Sequence, residues 1–227
     1  MPSSAVRRFT DPNDYADAIR ATKAEDTVTG RGKFAAKLIR IDFHRLWMQR
    51  LSERLPRVLH SALMSGRAII TFCTQPGPGL LWSGEEMQTG NITRHSEGHE
   101  AYQRSSGPAC FGSMSLPVED MAAVGVMAGL DLTPPRDQVL VTPLPSAMAR
   151  LQRLHAATGH LAAEAPEIIA NPDAARGLEQ MLIEAMVDCL ASREVHENTL
   201  AQGQHAVVIR RFRRVAEENL EHPLYIP

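Results

Sequence analysis

Cysteine is scarce in this chain, and what there is cannot organise it. Three residues, Cys73, Cys110 and Cys189, form an odd set with no C-x-x-C pair, which excludes a closed disulfide framework and a zinc knuckle. Reduced thiols in a cytoplasm are the expectation. A dominant charge is also lacking: 24 Lys and Arg stand against 26 Asp and Glu, a formal net charge of −2. No basic field is therefore available to hold nucleic acid or a membrane by charge alone. No run approaches the roughly 18 apolar residues that a membrane span requires. Arg7 and Arg8 lead into the polar Asp11-Pro12-Asn13-Asp14 and not into an apolar stretch, so a secretory leader is not expected. The common catalytic motifs are absent as well. There is no G-x-G-x-x-G, and Gly30-Arg31-Gly32-Lys33 lacks the earlier glycine and the following Ser or Thr of a phosphate cradle. Neither G-x-S-x-G nor H-E-x-x-H occurs. Nucleotide-driven chemistry and the usual hydrolase designs fall away.

What remains is an ordinary globular composition, 44% hydrophobic and 22% charged over 227 residues, enough for one large domain or two modest ones. The pattern changes near Leu116: short runs rich in Val, Ile, Phe, Trp and Thr give way to longer Ala, Leu, Met and Glu segments at helical spacing. A short helix opens the fold, with Asp11 as N-cap, Pro12 at its first position, and Tyr15, Ala18, Ile19 and Thr22 on one face. Extended runs follow at 46–51, 57–63, 67–74, 80–82, 91–94, 101–104 and 109–115, separated by Gly- and Pro-bearing turns. Within 33–43 the apolar set moves from Phe34, Ala36 and Leu38 to Ile39, Ile41 and Phe43, which predicts a β-bulge or a strand bending between sheets. Short strands without intervening helices point to an antiparallel jelly roll or cupin-like barrel, with a cavity at one mouth. The fold class is α+β.

The second half predicts a helix over 117–130, ended by Gly129 and Pro134-Pro135, and one more strand at 137–142. Ser146 suits the N-cap of a helix carrying Met148, Leu151, His155 and Leu161. Asn171-Pro172 starts another, on which Leu178, Met181, Leu182, Ala185, Met186 and Cys189 form an apolar stripe that either covers the sheet or makes a dimer. A last helix over 206–220 pairs Arg213 with Glu217 and Arg214 with Glu218 at i, i+4, the pattern of a solvated face and not of a DNA contact.

One cluster of ligand-type side chains stands out: His95-Ser96-Glu97-Gly98-His99-Glu100. A metal-binding cupin uses His-x-His followed by Glu and a later His. Here the histidines are four apart and Arg94 adjoins them, so a polar turn is preferred and no metal is expected. His155, on the apolar side of its helix, reads as a hydrogen-bonded core residue, and Cys110 as a small buried hydrophobe.

Tyr102-Gln103-Arg104-Ser105-Ser106-Gly107-Pro108, then residues 111–117, 124–132 and Pro134-Pro135, resemble the N-terminal half of AraC-type transcription regulators. The stretch 210–227 is similar to the opening helix of that family's DNA-binding domain. The resemblance implies a leader with a short helix (1–24), a cupin-like sensor barrel (25–116), a helical dimerisation segment (117–205) and the first helix of a DNA-binding domain (206–227). It implies no catalysis and no cofactor: a homodimer that binds a small-molecule effector and touches DNA only through appended helix-turn-helix units. The pocket candidates are Phe34, Leu38, Trp47, Phe72, Trp82 and Tyr102; the dimer-face candidates are Leu178, Met181, Leu182, Ala185, Met186 and Cys189. The alternative is a small cupin metalloenzyme using His95, Glu97 and His99. A third reading is a partner that pairs with a full-length relative through the same helices.

Overall fold

The computed structural model describes residues 1–77, 80–98, 100–191 and the strand at 193–195. Among the described residues, thirteen strands form two antiparallel sheets. The larger holds β1 (Ser3–Phe9), β3 (Ala36–Asp42), β4 (Trp47–Glu53), β11 (Ala109–Pro117), β6 (Arg67–Cys73), β9 (Ile92–Arg94), β12 (Val139–Pro143) and β13 (Arg193–Val195), in that spatial order. The smaller holds β2 (Thr22–Val28), β5 (Arg57–Leu63), β10 (Glu100–Ser105), β7 (Leu80–Trp82) and β8 (Glu85–Met87). The expected cupin-like jelly roll followed by helices is the observed architecture. The strand expected at 137–142 forms as β12 and pairs with β9 within the larger sheet.

The opening helix α1 (Pro12–Ala18) forms as its residues require: the Asp11 carboxylate accepts from the amides of Asn13 and Asp14, and proline occupies the first turn. It joins β1, at the edge of one sheet, to β2, at the edge of the other, and so closes the barrel along that side. Ahead of it, β1 pairs with β3 along its whole length, an element the charged Arg7 and Arg8 concealed in the sequence.

The expected bulge or bend is not found in the strand that forms within 33–43, which runs unbroken over 36–42. The β3 register is regular against both neighbours, Ala36 to Asp42 facing Glu53 to Trp47 on one side and Phe9 to Ser3 on the other. The apolar phase change has a different cause: this strand is buried on both faces. Leu38 faces the barrel interior with Tyr15, Leu51 and Phe111, whereas Ile39 and Ile41 face a helical layer. Such a strand reads as a nearly continuous apolar run.

That layer consists of α2 (Val118–Met127), α3 (Pro145–Glu164), α4 (Pro166–Ala170) and α5 (Pro172–Ala191). The main core lies between these helices and the outer face of the larger sheet, where Met48, Ile70, Phe72, Ile92, Met114 and Leu116 meet Met148, Leu151, Leu182, Met186 and Cys189. Asn171 caps α5 as expected, accepting from the amides of Asp173 and Ala174. The α5 stripe is therefore internal. Leu182, Ala185, Met186 and Cys189 are wholly buried inside this one chain, Leu178 is packed against the same core, and only Met181 is exposed. A dimer cannot use side chains that already cover the sheet. The helix expected over 206–220 lies outside the described residues, and no helix among those described is long and apolar enough to cross a membrane.

Candidate functional site

Strand alternation divides the side chains of the larger sheet into an apolar outer set and a largely polar inner set. On β4 the inner positions are Trp47, Gln49, Leu51 and Glu53, and on β11 they are Ala109, Phe111, Ser113 and Ser115, matched pairwise by the register. Thr71 of β6 and Thr93 of β9 continue the same row. The smaller sheet faces them with Asp26, Arg57, Ser61, Gln103 and Ser105, all buried. A core meant only for packing would not carry so many hydroxyl, amide and charged groups, each of which must recover the hydrogen bonds it loses on leaving water.

These groups form three tiers. At the α1 side, the Tyr15 hydroxyl donates to Glu53 Oε1 at 2.9 Å, and Arg57 pairs with Glu53 and donates to Gln103 Oε1. Arg57 also lies 5.6 Å from the centre of the Phe111 ring, and its amide donates to Ser105 Oγ. Asp26 joins this tier with neither carboxylate oxygen hydrogen-bonded. Two carboxylates thus share one guanidinium. Burial, and then the Glu53 charge, push the Asp26 carboxyl up to about 6, against the opposing pull of Arg57.

In the middle tier, Gln49 holds the connection between α1 and β2. Its Oε1 accepts from the Arg20 amide at 2.8 Å, and its Nε2 donates to the Arg20 carbonyl and to Ser113 Oγ, each at 3.2 Å. On the far wall, Thr71 Oγ1 lies 2.9 Å from His95 Nε2, and the His95 ring sits 4.8 Å from that of Trp82. At the mouth, Trp47 is flanked by two guanidinium groups, Arg67 at 3.7 Å and Arg20 at 4.8 Å from its ring centre. Arg20 in turn pairs with Asp42 at 2.6 Å. Burial, followed by the charge of Arg20, lowers the Arg67 pKa to about 10.

The sequence-predicted pocket residues are only partly brought together. Leu38, Trp47 and Trp82 face the barrel interior, and Phe34 packs beside Tyr15 at its margin. Phe72 points the other way, into the helical layer, with its ring 5.0 Å from that of His155. Tyr102 also lies outside, stacked on His60 at 4.7 Å on the far face of the smaller sheet. In both cases the neighbours one residue away take the inner positions: Thr71 and Cys73 in β6, Ala101 and Gln103 in β10. The polar residues Gln49, Thr71, Thr93, Ser113 and Gln103 escaped notice. Their sign in the sequence is a single hydroxyl or amide among apolar neighbours, as Thr71 stands in Ala68-Ile69-Ile70-Thr71-Phe72.

The cluster at 95–100 does not converge. His95 is buried beside Trp82 and Thr71, whereas Glu97 lies on the surface and accepts from the Gly66 amide in the β5–β6 turn at 2.6 Å. His99 lies outside the described residues. Among the described residues no three potential metal ligands gather.

No family model matches the chain, and no curated protein matches it. Among solved structures, the chain is similar to the AraC-like transcriptional activator CuxR, with 11% identity, a TM-score of 0.56, and coverage of 96% of this chain and 80% of that one. It also matches a protein from Pseudomonas aeruginosa described as glyoxylate-induced (11% identity, TM-score 0.31, 65% and 55% covered) and a vicilin from Corylus avellana (10%, 0.28, 76% and 49%). At those last two TM-scores the likeness carries no weight. The first establishes a cupin-like barrel with appended helices as the fold.

Proposed function

We propose that this chain is the effector-sensing part of a transcription regulator and that its effector is a small polar molecule held inside the barrel. The observation that carries the reading is the buried polar lining of the barrel, set in a fold that matches an AraC-like transcriptional activator over 96% of this chain. Gln49, Thr71, Thr93 and Ser113 supply neutral donors and acceptors, and Trp82 supplies a ring face. A ligand with hydroxyl, amide or carbonyl groups matches this lining better than a hydrocarbon, which would leave the polar atoms unpaired.

The geometry also provides a route outward. A ligand that takes the Gln49 amide competes with both of its bonds to the Arg20 backbone, and Arg20 lies in the connection that ties α1 to β2. Ligand occupancy then biases the position of α1, a population shift in the strict sense, because the ligand must bind one arrangement better than the other. Homodimerisation belongs to the same proposal, through a surface other than the buried α5 stripe. DNA contact would come only from helix-turn-helix units outside the described residues.

Limited proteolysis of the connection at 19–21, with and without candidate polar small molecules, tests the reading. Cleavage there should change at ligand concentrations that also raise the melting temperature. Compounds that leave cleavage at this connection unchanged and raise the melting temperature of the Gln49→Leu variant as much as that of the parent would move the site elsewhere.

A further inference from the structure

The outer face of the barrel wall carries a second set of convergent polar groups, unrelated to the interior. Under the C-terminal half of α3 lies a cleft of about 200 Å³. Strand register builds its floor. Lys37 of β3, Ser52 of β4 and Cys110 of β11 are mutual partners across three adjacent strands, and Arg50 stands one outward position along β4, opposite Gly112. Thr74 lines the cleft at the end of β6, and α3 roofs it at Gly159 and His160.

Arg50 is the unusual member. It is half-buried, yet among the described residues no carboxylate pairs with it, and its one hydrogen-bond partner is an imidazole: Arg50 Nη1 lies 2.8 Å from His155 Nδ1. A guanidinium has donors only, so His155 Nδ1 is the acceptor and the ring is neutral on that side. Burial, then the charge of Arg50, lower the His155 pKa to about 3, which agrees with that assignment. His155 therefore aims the guanidinium without neutralising it. Two glycines make the arrangement possible. A Cβ at Gly159 would lie 2.5 Å from Arg50 Cδ, and one at Gly112 would lie 2.6 Å from His155 Cε1. Arg50 and Lys37, which has no ion-pair partner among the described residues, line the cleft together with Ser52 and Thr74.

We infer that this cleft binds the phosphate group of a small anionic ligand, with Arg50 and Lys37 meeting its charge and the Ser52 and Thr74 hydroxyls meeting its remaining oxygens. Two cations and two hydroxyls suit a tetrahedral dianion. A single carboxylate would use the fork of Arg50 and leave Lys37 unmatched. The site contacts both the barrel wall and α3, so occupancy ties the barrel to the helical layer. It does not depend on the barrel interior holding an effector.

Calorimetric titration of the chain with inorganic phosphate and with glycerol 3-phosphate, against sodium chloride at matched ionic strength, tests the inference. Saturable binding of the phosphate compounds is expected. It should weaken about tenfold in Lys37→Met, a half-buried position with no partner to lose, and disappear in Arg50→Met. Should Arg50→Met fail to fold, Lys37→Met and Thr74→Val together provide the same reading. No saturable binding beyond chloride, or binding unchanged in Lys37→Met and Thr74→Val, would overturn the assignment.

Discussion

Asp26 and His155 are buried titratable groups that respond to acid in opposite directions. The Asp26 carboxyl rises from 3.8 to about 6, so the folded chain holds its proton more tightly than the unfolded chain does. Its contribution to stability is complete below the ordinary value and is lost as the pH rises through about 6. Asp26→Asn removes the charge and keeps the shape. Above neutral pH this variant should be more stable than the parent by on the order of 1 kcal/mol, about 2–4 °C in melting temperature for a chain of this size. Its melting temperature should also vary less between pH 4 and 6. A lower melting temperature of the variant above neutral pH would show that the attraction of Arg57 outweighs the burial of the Asp26 charge. For His155 the sign is reversed: its folded value of about 3 lies below the ordinary 6.5, so the unfolded chain takes the proton first. That contribution is present above 6.5 and is lost as the pH falls toward 3. His155→Gln keeps an acceptor for Arg50 and cannot ionise. Its urea midpoint should change less than that of the parent over the acid range. Of the two groups, His155 could be read as a core histidine from its place on the apolar side of a helix, whereas nothing local to Asp26 marks it as buried. The difference is one of range, since a helix stripe is a local pattern and Asp26 is enclosed by Glu53 and Arg57 from other strands.

At the scale of elements, β3 and α5 show how far periodicity carries and where it stops. The α5 stripe is correct as a pattern, but a stripe does not say what covers it. The outer face of the larger sheet does so, with Met48, Ile70 and Met114 in the same cluster as Leu182 and Met186. Leu182→Glu is therefore predicted to unfold the chain and not to release a dimer, because it places a charge among wholly buried apolar groups. Leu182→Ala should cost about 2–5 kcal/mol. Circular dichroism melts and light scattering on both variants check this; a folded Leu182→Glu chain of halved mass would put the helix back in an interface. The phase change in β3 has the same origin, since a strand covered on both faces carries apolar residues at both parities. At the other end of the chain, the Asp11 cap was legible because its geometry is local. Asp11→Ala should destabilise the fold by about 1 kcal/mol.

In the whole molecule, the barrel carries many polar groups in its interior, and the main apolar core lies outside it, between the larger sheet and the helices. Its antiparallel architecture could be read from short strands separated by turns. The placement of the core could not, because it depends on helices that follow the barrel in the sequence and cover it from outside. The same placement sent Phe72 out of the expected pocket and brought Gln49, Thr71, Thr93 and Ser113 in, whereas Tyr102 lies on the far face of the smaller sheet beside His60. On the proposed function, these polar groups hold a small molecule. The direct measurement is native mass spectrometry of the chain after incubation with a total small-molecule extract, beside a Gln49→Leu, Thr71→Val variant. A bound polar compound is expected that is released on denaturation, raises the melting temperature of the parent, and is not retained by the variant. A parent chain that takes up nothing, or a compound held equally by both, would contradict the proposed function.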